Sequence, residues 1–185
     1  MTLASYISCL RIVLIVPIIY FLDKGSWSEA HWLYNSLALT LFVLAGITDY
    51  LDGYIARKTD TVTHLGVLLD LVADKLLVSL VMVWMVYLSI DVWVTIPALI
   101  IVSRELVIST LRQYSIKKSY KNKLKVSYVG KSKTTIQIIS ISMLILAREH
   151  HEIWLLSIIA IWFAALFSIY SLFSYIKGWS KYYLN

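Results

Sequence analysis

Long apolar runs separated by short polar segments dominate the sequence. A helix needs about 20 apolar residues to cross the hydrocarbon core of a bilayer. Six runs approach that length and predict transmembrane helices near residues 4–22, 33–56, 64–88, 92–112, 133–147 and 153–176. The fifth run is the shortest, so its ends are the least well defined. The pattern predicts an all-α, polytopic integral membrane protein with six transmembrane helices in a single domain, residues 1–185.

Composition agrees with a membrane protein and argues against a soluble one. Hydrophobic residues make up 59% of the chain, charged residues only 15%, and the mean hydropathy is +0.75. The first apolar run lacks a basic leader and a small-residue cleavage site, so we expect a permanent helix rather than a signal peptide. Once six helices are assigned, no soluble domain is left, and any chemistry must occur at the membrane.

Lysine and arginine are distributed unequally between the segments that connect the helices. If the N-terminus is cytoplasmic, twelve of them lie on the inside and two, Lys24 and Arg148, on the outside. This bias predicts that both termini are cytoplasmic. It also accounts for the net charge of +6 without nucleic acid as a partner. The inside residues are Arg57, Lys58, Arg112, Lys117, Lys118, Lys121, Lys123, Lys125, Lys131, Lys133, Lys177 and Lys181.

Four aspartates stand out in the stretch DYLDGYIARKTDTVTHLGVLLDLVAD. Asp49 and Asp52 are three residues apart and Asp70 and Asp74 four apart, so each pair shares one face of its helix. Gly66 extends the second face by one turn. Two antiparallel helices joined by a short loop would turn all four carboxylates toward one another.

Four carboxylates cannot gather in a low-dielectric site without compensation, and Lys75 and Arg57 are too few to neutralise them. Ligand sets made of oxygen atoms alone suit hard divalent cations, so the pattern favours two Mg²⁺ or Mn²⁺ ions that would attract a phosphate-bearing substrate. Gly53 and Ala56 leave room beside Asp52 for a ligand to approach the backbone. The alternative is a set of helix-end charges that face water, some paired with Lys75 and Arg57.

The full pattern resembles the signature of the CDP-alcohol phosphatidyltransferases. It reads Asp49-x-x-Asp52-Gly53-x-x-Ala56-Arg57, eight residues, then Gly66-x-x-x-Asp70-x-x-x-Asp74, with no departure from the family's pattern. The resemblance implies a six-helix membrane enzyme, usually a homodimer among membrane lipids. Such an enzyme transfers a phosphatidyl group from a CDP-lipid such as CDP-diacylglycerol to an alcohol and releases CMP.

The resemblance also implies roles for individual residues. Asp49, Asp52 and Asp70 would bind the two divalent cations, and Asp74 would complete this metal site and act as the general base. The CDP-lipid would be held by Asp49, Asp52, Gly53, Ala56, Arg57, Gly66 and Asp70.

A second, basic cluster is expected on the same side of the membrane. Arg104 and Arg112 lie about 80° apart around the fourth predicted helix, and Lys131 and Lys133 precede the fifth, where a helix N-terminus and hydroxyls favour an anion. The stretches SRELVISTLRQ and VGKSKTTIQ resemble those family members that use glycerol 3-phosphate as acceptor. By that resemblance, these four residues hold the acceptor phosphate. A structural ion pair between Arg104 and Glu105 is the alternative.

Several alternatives stay open at this point. The acceptor could instead be serine, inositol, inositol phosphate or phosphatidylglycerol, and a divalent-cation transporter is the candidate from another class. Arg11, within the first apolar run, either snorkels to the interface or lies near the substrate entrance. The compact single-domain chain is typical of a bacterial plasma membrane protein, with its site facing the cytoplasm.

Overall fold

A computed structural model describes residues 3–59, 64–117 and 128–183. In these ranges the chain forms six α-helices and one short 3₁₀ helix, His151–Ile153, so the predicted all-α membrane fold is confirmed. Each observed helix contains the predicted apolar run to within a residue. The helices are α1 Leu3–Trp27, α2 His31–Thr59, α3 His64–Ser89, α4 Val92–Lys117, α5 Tyr128–Ala147 and α6 Trp154–Tyr183.

Five of the described helices contain a stretch long and apolar enough to cross a membrane. The fifth helix in the chain differs, because its apolar part covers only Lys133–Ala147. The helix itself begins earlier, at Tyr128, and its first turns carry glycine and lysine. The short fifth run in the sequence therefore marks a helix whose first turns are polar.

The helices pack around one apolar core. α1 packs against α2 and α3, α5 against α2, α3 and α6, and α4 against α3 and α6. Ile18, Leu22, Phe42, Met82 and Ile141 are fully buried between them. Many other large apolar side chains point outward, which is expected where the surrounding solvent is lipid.

The connection from α3 to α4 is very short. Ile90 adopts a left-handed backbone conformation with φ of 47°, and it reverses the chain at a largely exposed position. Asp91 precedes the first residue of α4 and caps the helix, because its Oδ1 atom accepts a hydrogen bond at 2.9 Å from the backbone N–H of Trp93. This turn fixes α4 beside α3, which carries Asp74.

A polar cluster ties α1, α2 and the segment after α5 together at one end of the bundle. Glu149 accepts hydrogen bonds from the Nδ2 group of Asn35 and contacts Nδ1 of His31 at 2.8 Å. Arg148 donates to the hydroxyl of Ser26 at 2.6 Å. Burial lowers the pKa of the Arg148 guanidinium, and the charge of Glu149 opposes that shift. Its α1 member, Ser26, lies about 22 Å along the helix from Arg11, so the cluster is at the opposite end of the bundle from Asp74.

Candidate active site

Asp74 lies in α3 and forms an ion pair with Arg11 of α1. The NH1 group of Arg11 donates to Oδ1 of Asp74 at 2.6 Å. The Arg11 side chain is fully buried, whereas 33% of the Asp74 side chain is exposed. The snorkelling alternative for Arg11 is therefore wrong. A guanidinium can stay inside an apolar bundle when a carboxylate compensates its charge, and Asp74 does so here.

The remaining residues of the acidic signature are placed only by their helices. The C-terminal part of α2 contains Asp49, Asp52, Gly53, Ala56 and Arg57. Gly66 and Asp70 belong to the first turns of α3. Their side chains lie outside the described part of the chain. Among the side chains that are described, no three potential metal ligands form a group, so the metal site stays a prediction from the sequence.

Arg104 and Lys133 meet at a single carboxylate. The NH1 group of Arg104 donates to Oε1 of Glu105 at 3.2 Å, and the ammonium of Lys133 donates to the same oxygen. Arg104 and Lys133 are buried, and Glu105 is nearly so. The ion pair of Arg104 with Glu105, which was the alternative for Arg104, is present, but it is one part of a larger cluster that connects α4 to α5 through Lys133. The side chains of Arg112 and Lys131 lie outside the described part of the chain.

Two hydroxyl groups extend this cluster. Ser171 of α6 accepts a hydrogen bond from NH2 of Arg104 at 2.7 Å. Ser109 of α4 accepts one from the ammonium of Lys75 and donates to the backbone carbonyl of Glu105 at 2.5 Å. Because Lys75 directly follows Asp74 in α3, these contacts connect the Asp74 region to the basic cluster.

The charges described in this region are unequal. Arg11, Lys75, Arg104 and Lys133 supply four positive charges, and Asp74 and Glu105 supply two negative ones. Most of these groups are removed from water, where an excess of one sign is screened least. Buried cationic groups gathered in this way favour a ligand that carries negative charge.

A buried polar seam between α5 and α6 keeps the two helices in register near this cluster. Gln137 donates to the hydroxyl of Ser168 at 3.1 Å. The hydroxyl of Ser140 donates to the backbone carbonyl of Ala160 at 3.0 Å. Contacts of this kind hold membrane helices together where apolar packing alone does not specify the register. These residues could not be predicted from the sequence, because lone serines and glutamines carry little signal there.

Comparison with known proteins identifies the family. The sequence model of the CDP-alcohol phosphatidyltransferases matches residues 1–170. Three relatives are each named CDP-diacylglycerol–glycerol-3-phosphate 3-phosphatidyltransferase. The one from Haemophilus influenzae is 40% identical over 74% of this chain and 74% of its own length. Those from Rickettsia felis and Wigglesworthia glossinidia are 37% and 33% identical and cover 98% and 91% of this chain, and 97% and 91% of their own lengths. With a family match over most of its length, this chain belongs to the CDP-alcohol phosphatidyltransferase family.

Proposed function

We propose that this enzyme transfers a phosphatidyl group from CDP-diacylglycerol to sn-glycerol 3-phosphate, giving phosphatidylglycerophosphate and CMP. The observation that carries the proposal is the buried cluster in which Arg104 and Lys133 both contact the carboxylate of Glu105. Hydrogen bonds through Ser109 and Lys75 connect this cluster to the region of Asp74. An acceptor with a phosphate group suits these two buried cations, whereas inositol offers them no anion and serine only a carboxylate. The names of the three relatives support the same acceptor.

The reaction forms one P–O bond and breaks another. The acceptor hydroxyl attacks the phosphorus that carries the diacylglycerol, the phosphoanhydride bond breaks, and CMP leaves. Asp74 takes the proton of the attacking hydroxyl as general base. Arg11 holds one oxygen of that carboxylate at 2.6 Å and so fixes the direction in which Asp74 points. Arg104 and Lys133 orient the acceptor by its phosphate, together with Arg112 and Lys131 as the family resemblance implies.

Two divalent cations, Mg²⁺ or Mn²⁺, would be held by Asp49, Asp52, Asp70 and Asp74. The donor set fits, because carboxylate oxygens are the ligands that these hard cations prefer. When bound, the cations neutralise the charge of the pyrophosphate. Gly53, Ala56, Arg57 and Gly66 would line the pocket for the CDP-lipid.

Release of CMP tests the reaction and the acceptor together. The detergent-purified protein would be given CDP-diacylglycerol, Mg²⁺ or Mn²⁺, and each candidate acceptor separately: glycerol 3-phosphate, serine, inositol, inositol phosphate and phosphatidylglycerol. We expect release with glycerol 3-phosphate, and its loss with a chelator or with Asp74→Asn. Release with a different acceptor alone would refute the acceptor. Absence of release from folded protein with every acceptor, together with Asp70-dependent metal uptake into vesicles, would favour a transporter.

The basic cluster can be tested against a matched control. Lys133→Met removes a buried cation of the cluster, and Lys177→Gln removes an exposed cation of α6. We expect Lys133→Met to raise the KM for glycerol 3-phosphate at least tenfold, which corresponds to about 1.4 kcal/mol, because the acceptor phosphate loses one of its cations. The KM for CDP-diacylglycerol should change little. Lys177→Gln should change neither. Equal effects of the two variants would refute a specific phosphate site.

We propose further that the site faces the cytoplasm of a bacterial plasma membrane, with both termini on that side, because lysine and arginine are concentrated there. With Cys9→Ser as background, single cysteines at Lys121 and His151 would report the topology. A membrane-impermeant maleimide should label His151→Cys in intact cells and Lys121→Cys only after the membrane is opened. The reverse pattern would overturn the orientation.

We also propose a homodimer, as the family resemblance implies. Outward apolar side chains of α6, among them Leu155, Phe163 and Phe173, are largely exposed in the single chain. Lipid covers part of this surface and a second copy the rest. Light scattering in nanodiscs should give a protein mass twice the 21.2 kDa of one chain. A protein mass of one chain at working concentrations would refute the dimer.

A further inference from the structure

Glu105 uses one carboxylate oxygen for two cations. Its Oε1 atom accepts from Lys133 and from Arg104, and these cations come from α5 and from the neighbouring position on α4. Only 13% of the Glu105 side chain is exposed, and the side chains of both cations are even less exposed. A carboxylate in this position is an anion among the groups proposed to hold the acceptor phosphate.

We propose that Glu105 is an internal stand-in for the acceptor phosphate: its carboxylate pairs with Lys133 and Arg104 before the acceptor binds, and the incoming phosphate displaces it from Lys133. This inference rests on the proposed function, because it assigns Glu105 a role at the acceptor site. It makes Glu105 a competitor of the acceptor and thus a residue that sets acceptor affinity.

The physical reason is the cost of leaving cations buried without an anion. A buried lysine that loses the anion it contacts is strongly unfavourable, and Glu105 is the carboxylate in contact with Lys133. Glu105 removes this penalty before the acceptor arrives, which weakens acceptor binding by the same amount. Arg104 keeps a second anchor in Ser171, at 2.7 Å. Lys133, whose contact in this cluster is Glu105, is therefore the cation that changes partner.

An alternative role for Glu105 has the opposite consequence. If Glu105 only held Lys133 and Arg104 in the correct position, its removal would weaken phosphate binding. If Glu105 competes with phosphate, its removal strengthens phosphate binding. The sign of one measured change therefore separates the two roles.

The measurement is the rise in thermal midpoint that inorganic phosphate and glycerol 3-phosphate cause, compared between the unmodified enzyme and Glu105→Gln. A ligand that binds the folded state stabilises it in proportion to the logarithm of its concentration over Kd. We expect Glu105→Gln to be less stable without anion and to bind either anion about tenfold more tightly, as relief of a buried uncompensated charge predicts. Its KM for glycerol 3-phosphate should fall, with that for CDP-diacylglycerol unchanged. A smaller midpoint shift than in the unmodified enzyme would overturn the inference.

Two further variants make the result specific. Glu149→Gln makes the same change at the opposite end of the bundle and should leave anion binding unaltered. Adding Lys133→Met to Glu105→Gln should abolish the gain in affinity, because the displaced cation is gone. A gain that survives Lys133→Met would overturn the assignment to Lys133.

Failure of the inference can be told apart from failure of the proposed function. If neither anion stabilises the unmodified enzyme and glycerol 3-phosphate supports no CMP release, the acceptor assignment itself fails. If the unmodified enzyme binds both and Glu105→Gln binds them no better, only the role of Glu105 fails. Should Glu105→Gln not fold, Glu105→Asp retracts the carboxylate by one methylene and should still tighten anion binding; weaker binding by Glu105→Asp would count against the inference.

Discussion

The guanidinium of Arg11 lies 2.6 Å from the carboxylate of Asp74, although 63 residues separate them in the sequence. The pair joins the first half of α1 to the helix that carries the second half of the aspartate signature. Since Arg11 is wholly buried, its charge has a strong requirement for an anion. Arg11 and Asp74 should therefore depend on each other for stability.

A double-mutant cycle measures that dependence. Arg11→Met removes the cation that contacts Asp74, and Asp74→Asn removes the negative charge that contacts Arg11. We expect each to lower the thermal midpoint and the double variant to recover part of the loss. The coupling should be about 1 to 3 kcal/mol, below that of a fully buried pair because Asp74 is partly exposed. Thermal unfolding should be measured with a chelator present, so that no divalent cation takes the place of Arg11 beside Asp74.

A residue on the same helix provides the control for this cycle. Lys24→Met removes an exposed cation at the other end of α1, and its effect should simply add to that of Asp74→Asn. Additive effects of Arg11→Met and Asp74→Asn as well would show that the pair contributes no coupling.

Two buried serines on α6 should separate acceptor binding from stability. Ser171 accepts from Arg104 at 2.7 Å, and Ser168, about one turn earlier, accepts from Gln137 at 3.1 Å. Ser171→Ala should raise the KM for glycerol 3-phosphate about three- to tenfold, because Arg104 loses one anchor. Ser168→Ala should lower stability by about 1 kcal/mol with the KM unchanged. Steady-state CMP release at saturating CDP-diacylglycerol gives the KM, and a similar KM for both variants would contradict this division of roles.

The helices were predictable because hydrocarbon demands long apolar runs. The apolar runs end before the helices do: α2 continues to Thr59, α4 to Lys117 and α6 to Tyr183. Backbone hydrogen bonds continue a helix into the polar layer, where side-chain hydropathy no longer reports it. Hydropathy therefore located the spans and underestimated the polar turns, which include Arg57 of the signature.

The pairing of buried charges was less predictable. The contact of Arg104 with Glu105 follows from adjacency. The contact of Lys133 with Glu105 depends on how α4 and α5 each pack against α3 and α6. Arg11 did carry a signal, because an arginine within an apolar run requires a buried anion and the chain has few acids to offer. Which acid it meets is decided by the packing of α1 against α3. For His31, nothing local in the sequence indicates Glu149, which lies 118 residues away.

The cluster around Glu149 should affect stability without affecting catalysis. Glu149→Gln removes the negative charge that His31 and Asn35 contact, and we expect a loss of about 1 to 2 kcal/mol. The KM values for both substrates should not change, because the cluster is at the opposite end of the bundle from Asp74. Glu152→Gln, at an exposed position of the 3₁₀ helix, is the control and should be neutral. A raised KM in Glu149→Gln would show that the two ends communicate.

Two glycines at helix contacts should respond differently to alanine. A Cβ at Gly25 would lie 2.5 Å from Oδ1 of Asn35, a buried side chain already held by Glu149, whereas a Cβ at Gly46 would lie 3.0 Å from the flexible end of Ile138. Gly25→Ala should destabilise the protein by about 1 to 3 kcal/mol, as overpacking does.

For Gly46→Ala, a gain in helix propensity of about 1 kcal/mol offsets a small shift of Ile138, so we expect little net change. Thermal midpoints of the two variants at one scan rate decide the comparison, because the unfolding of membrane proteins is often irreversible. A loss in Gly46→Ala as large as that in Gly25→Ala would mean that α2 and α5 cannot separate by the few tenths of an ångström that the new methyl group needs. In that case the contact of α2 with α5 would be as rigid as the hydrogen-bonded contact between Asn35 and Glu149.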